Sequence, residues 1–103
     1  MSDHRGKPLK FSIAGVEVDF KAAVPMKAGD YEILATKHNI NMVAGDNVLN
    51  DPTKIIDFVH YFANKLNERI RREDIQAHLD MSQCAKIIMY VSDSSAVVWD
   101  DPI

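Results

Sequence analysis

DPTKIIDFVHYFANKLNERIR, residues 51–71, is the stretch from which the fold is read. Asp51 can accept hydrogen bonds from the free N–H groups of a first helical turn, and Pro52 suits the first helical position, where no N–H donor is needed. Ile55, Val59, Phe62, Leu66 and Ile70 then recur at helical steps, with Ile56 and Ala63 widening the stripe. The spacing predicts one helix over 51–71 with a face broad enough to need cover on more than one side. Burying five such side chains is worth on the order of 10 kcal/mol before entropy is subtracted, which makes this helix the spine of the core.

Upstream, Phe11 and Ile13, then Val16, Val18 and Phe20, alternate with polar residues on either side of Ala14-Gly15. That period of two predicts a β-hairpin whose tight turn uses the positive φ open to Gly15. Pro25 ends the second strand. A short helix is expected next, capped by Asp30, carrying Tyr31, Leu34, Ala35 and His38 on one stripe and closing at Asn39. Residues 39–50, NINMVAGDNVLN, predict a loop with apolar anchors.

Downstream, Arg69, Arg71 and Arg72 fit the negative end of a helix dipole. Arg72-Glu73-Asp74 opens a short helix to Leu79, and Asp80-Met81-Ser82-Gln83 has the form of a capping box. The final helix is expected from about Met81 to Val91, with Met81, Cys84, Ala85, Ile88 and Val91 inward, before a Ser-Asp-Ser-Ser loop. The whole predicts a single α+β domain, residues 1–103, in which an N-terminal antiparallel β-hairpin packs against three to four α-helices. Residues 1–9 and 92–103 are expected to be flexible or loosely packed tails.

A chain of 103 residues supports one core and not two. It is 47% hydrophobic and 26% charged, and no run approaches the 18 or so apolar residues of a membrane span. No secretory signal is seen at the N-terminus, so the cytoplasm is the expected compartment. Cys84, alone and among apolar helical positions, is expected to be a small core residue. His4, His38, His60 and His78 are scattered without the helical spacing that metal sites use. There is no phosphate-binding glycine loop and no nucleophile motif. The expectation is therefore a protein that is not an enzyme, with no catalytic residues, no metal and no cofactor.

Residues 74–91, DIQAHLDMSQCAKIIMYV, also have helix-turn-helix spacing, which would turn Ser82, Gln83 and Lys86 towards a DNA groove. Electrostatics oppose that reading: the net charge is −3 and Lys86 is the only base of the second helix. No nucleic acid is expected as a partner. What remains is a binding module. Val97, Val98 and Trp99 form an apolar trio that must fold back or find a partner, and Met26, Met42, Met81 and Met89 are further candidates for adaptable contacts.

Taken in order, the hairpin FSIAGVEVDF, the proline-led helix VPMKAGDYEILATKHNINM, the helix opening DPTKIIDFVHYF and the capped helix LDMSQCAKIIMYV resemble the small tail assembly chaperones of long-tailed bacteriophages, over residues 10–91. The resemblance lies in the pattern of apolar positions. It implies a non-enzymatic protein of the host cell cytoplasm that binds the phage tape-measure protein, keeps it soluble and helps tail-tube protein assemble around it, with self-association as a further option. A structural virion component such as a head–tail connector is the next reading, and a helix-turn-helix regulator the third.

Overall fold

A computed structural model describes residues 7–45 and 47–95. Strands β1 (Lys10–Ile13) and β2 (Val16–Asp19) form the hairpin, and a 3-10 turn over Phe20–Ala23 leads towards α1 (Ala28–His38). A second 3-10 turn, Val48–Asn50, precedes α2 (Pro52–Leu66), which is followed by α3 (Arg72–His78) and α4 (Met81–Ser94). The fold is α+β: an N-terminal antiparallel hairpin packed with four helices among the described residues.

The hairpin pairs Phe11 with Val18 and Ile13 with Val16 across its two-residue turn. Ala14 and Gly15 both have positive φ, 52° and 81°, as a primed hairpin turn requires. This register places Ile13 and Val18 in the core, and Phe11 meets Phe20 edge-on at 6.5 Å between ring centroids. Residues 7–9, expected to be loose, are held: Phe20 N–H donates to the Leu9 carbonyl at 2.9 Å, and the Tyr90 hydroxyl donates to the Lys7 carbonyl.

Helix α2 starts where Asp51 and Pro52 place it, the Asp51 carboxylate accepting from Thr53 N–H at 2.9 Å. It packs against α1, α3, α4, β2 and both 3-10 turns, so it is the spine. Phe58 and Phe62 are fully buried and in contact, with 5.0 Å between ring centroids. The helix is shorter than expected. It stops at Leu66, because the Asn67 side chain accepts from Arg69 N–H at 3.0 Å and Asn64 Nδ2 donates to the carbonyls of Glu68 and Ile70 at 3.1 and 2.9 Å. These local bonds offer the backbone an alternative to another helical turn. Ile70 still enters the core, from the connection rather than from the helix.

Helix α1 begins at Ala28, two residues before Asp30, and ends at Asn39 in the left-handed conformation, φ 57°. Ile40 and Val48 anchor the following segment in the core, while Val43 stands 62% exposed. At the start of α4, Gln83 N–H donates to Asp80 Oδ1 at 2.8 Å and Asp80 N–H to Gln83 Oε1 at 2.9 Å, a complete capping box. The helix runs on through Ser94, past the expected end at Val91. Its inner face is Cys84, Ile87, Ile88, Tyr90 and Val91, and Met81 is turned outward.

Candidate functional site

Helix α4 packs on α2 and buries Cys84, Ile87, Ile88, Tyr90 and Val91, which leaves residues at the remaining helical positions facing outward. There Met81 and Met89 are 48% and 53% exposed, and half-buried Ala85 lies one turn from each. Two large, unbranched, polarizable side chains two turns apart, with Ala85 on the turn between them, make an adaptable apolar stripe. Lys86 is exposed beside it. The far end of the helix is tied down: Ser95 Oγ accepts from Met26 N–H at 2.8 Å, and the Ser95 carbonyl accepts from the Tyr31 hydroxyl at 3.2 Å.

The residues expected to contact a partner are distributed differently. Met26 is 7% exposed and belongs to the core, because its backbone is bound to Ser95 and the chain turns inward after Pro25. Met42 is half-buried and packs against the core, next to exposed Val43. Val97, Val98 and Trp99 lie outside the described residues. Position along the chain cannot distinguish Met26 from Met89. The signal that separates them is the helical phase of α4: Met89 falls opposite the buried stripe, whereas Met81, seven residues before buried Ile88, is exposed because it stands in the first turn.

A second constellation joins α1, α2 and α3. The Asp30 carboxylate, only 3% exposed, accepts from Lys65 Nζ at 2.7 Å, the Tyr61 hydroxyl at 2.5 Å and Lys27 N–H at 2.8 Å. Burial alone would raise its pKa; the bonds from Lys65, Tyr61 and Lys27 outweigh that and hold it below the ordinary carboxylate range. Burial, then the hydrogen bond and charge of Asp30, push the Tyr61 hydroxyl well above its ordinary value. Further along α2, Asp57 accepts from Arg72 Nε at 2.7 Å, with His38 Nδ1 at 4.0 Å. Both oxygens of Asp30 are engaged by donors of this network, so it works as a clasp. The expected N-cap Asp30 is thus at the third helical position, where it reaches back to Lys27 N–H as the acidic half of a capping box does.

A half-open cleft of about 230 Å³ is lined by Glu17, Val18, Asp19, Ala22, Leu66 and Asn67. Asp19 Oδ1 is occupied by Lys21 N–H at 3.0 Å, and Glu17 is the other carboxylate of the lining, which holds no His, Cys, Ser or Lys. Among the described residues no group of three or more His, Cys, Asp or Glu is placed to hold a metal. The Cys84 thiol is buried, and burial, with Asp80 second, pushes its pKa up. No helix among the described residues is long and apolar enough to cross a membrane.

Comparison with protein families, curated proteins and solved structures finds no match. The site therefore has to be read from its own geometry. For a helix-turn-helix, the decisive residue is Gln83, whose side-chain oxygen and backbone N–H both bond to Asp80 in the α4 cap. Asp80 stands exposed at the start of α4, the end from which a recognition helix would approach DNA.

Proposed function

We propose that the protein is a non-enzymatic assembly chaperone of a long-tailed bacteriophage, acting in the host cytoplasm, where it binds the tape-measure protein and keeps that long helical chain from aggregating. The observation that carries this reading is the Met81–Ala85–Met89 stripe. A helical partner lays apolar residues into such a face at three- and four-residue spacing, and methionines adapt to partners of varied sequence. Val97, Val98 and Trp99, beyond the described residues, are further candidate partner contacts by residue type. The engaged acceptors of the Asp30 clasp favour a structural role for that network over a catalytic one. The acidic total, −3, and the capped Gln83 weigh against a nucleic-acid partner. The test is co-purification: a tagged tape-measure protein from the same phage should carry this chain through successive columns, and Met81→Ser with Met89→Ser should lower the recovered amount. Recovery of no complex at any salt concentration would refute the assignment and favour a connector subunit.

A further inference from the structure

We infer that the outer edge of β2 docks an extended, basic segment of a partner protein, which joins the hairpin as a third, antiparallel strand and lays an apolar side chain in the cleft beside Leu66. The register fixes which backbone groups are on offer. Phe11 pairs with Val18 and Ile13 with Val16, and Phe20 N–H donates to the Leu9 carbonyl, so Val16 and Val18 turn their N–H and C=O groups to β1. The residues between them point the other way. Glu17 N–H and C=O and Asp19 N–H face outward from β2, and among the described residues none of the three has a hydrogen-bond partner.

That edge is also one wall of the half-open cleft of about 230 Å³, to which β2 contributes Glu17, Val18 and Asp19, and the rest of the chain Ala22, Leu66 and Asn67. A strand in sheet register stands about 4.8 Å from its neighbour, so one laid on this edge enters the cleft. Its side chains on the Val18 face then meet half-buried Leu66 and exposed Ala22, while those on the other face line up with Glu17.

Charge selects the occupant. Glu17 and Asp19 are the carboxylates of the lining, which holds no base. The Asp19 carboxylate is held by Lys21 N–H at 3.0 Å and Leu9 N–H at 3.4 Å, with Lys10 opposite it on β1. Glu17 is exposed and stands opposite uncharged Ser12. Lys65, at the end of α2, is committed to Asp30, and Lys7, Lys21, Glu68 and Arg69 are exposed outside the lining. A third strand therefore gains most by setting lysine or arginine directly against Glu17, as a cross-strand pair of opposite charge. The carbonyl end of α2 beside Asn67 adds partial negative charge to the same cleft. A second copy of the chain is disfavoured by the same rule, since its β2, laid antiparallel on this edge, would set Glu17 against the copy's own Glu17 or Asp19. The edge shares no residue with the α4 stripe, so the inference stands whichever partner that stripe takes.

The probe is a short capped peptide alternating lysine and valine, and the readout is amide hydrogen exchange in the full chain. Without peptide, Val18 N–H should exchange slowly and Glu17 and Asp19 N–H fast. With peptide, the Glu17 and Asp19 amides should slow by about tenfold once roughly nine-tenths of the chain is bound, since only the unbound tenth exchanges. Methylating the lysine amides, which face β2 when lysine stands opposite Glu17, should abolish the protection, and methylating the valine amides should leave it. Glu17→Lys should transfer the preference to a peptide alternating glutamate and valine; should that variant lose its fold, the methylated peptides decide without it. Absence of protection at millimolar peptide would overturn the inference. Equal protection by the peptide methylated at lysine would reduce the contact to charge alone and overturn it too. Slow Glu17 and Asp19 exchange in the chain by itself, quickening on dilution, would give the edge to a second copy and overturn it equally.

Discussion

Replacing Asp30 with alanine is expected to destabilise the domain by about 3 kcal/mol, a figure worked from its three partners. Lys27 N–H loses the carboxylate that caps the first turn of α1, a loss of about 1 kcal/mol. The Tyr61 hydroxyl, half-buried against α1, is left without its acceptor, which costs about 1–2 kcal/mol. Lys65 is 42% exposed, so its ammonium turns to water and its share stays below about 1 kcal/mol. Asp30→Asn keeps an acceptor and should lose about half as much. Urea titration of the three proteins measures this, and a loss below about 1 kcal/mol for the alanine variant would refute the clasp. The pH dependence carries the same sign. Because folding lowers the Asp30 pKa, its contribution is complete above about pH 4 and is lost as pH falls through the folded value; the asparagine variant should lack that part of the acid transition. Tyr61 behaves oppositely. Its raised pKa gives stability that is complete below about pH 10 and lost as pH rises through the folded value, and Tyr61→Phe should remove that alkaline limb.

Three further outcomes are expected. Phe62→Ala should destabilise by about 3–5 kcal/mol in denaturant melts, since Phe62 is fully buried between Phe58 and Tyr61, at 5.0 and 4.9 Å between ring centroids, and a loss below about 1 kcal/mol would remove α2 as the spine. Ala14→Asn should raise stability by about 0.5–1 kcal/mol, because Ala14 is exposed at φ 52°, a conformation that asparagine tolerates better; a lower melting temperature would contradict the turn geometry. Gel shifts with phage genomic fragments should show no sequence-specific DNA binding at physiological salt, and nanomolar binding abolished by Lys86→Ala would restore the regulator reading.

Elements set by short-range chemistry were legible from residue types alone. Asp51-Pro52, Ala14-Gly15, Asn39 and the Asp80–Gln83 box each mark an end or a turn through local chemistry within about six residues, and each stands where expected. Features settled by tertiary packing were not. The apolar period of α2 continues to Ile70, so nothing in it marks Leu66 as the last helical residue, and the stop comes from two asparagine side chains bonding to the backbone beyond. Phe58 fell outside the expected stripe because α2 is covered on several sides, which widens its buried arc. The same holds for α4, where Ile87 and Tyr90 are buried and Met81 is not. Asp30 was read as a local cap, while its bonds to Tyr61 and Lys65 span 31 and 35 residues, a separation at which no sequence period acts. Met26 and Met89 are alike in type, and only the fold puts one in the core and the other on the surface.

The proposed function meets its most direct test in the soluble yield of a tape-measure protein co-expressed with this chain. With the unsubstituted protein present, most of the tape-measure protein should move from the pellet to the supernatant, and with Met81→Ser and Met89→Ser combined it should return to the pellet while the variant itself stays folded. A tape-measure protein that remains insoluble beside abundant folded chain, or one rescued equally well by the double variant, would contradict the chaperone role or the α4 face respectively.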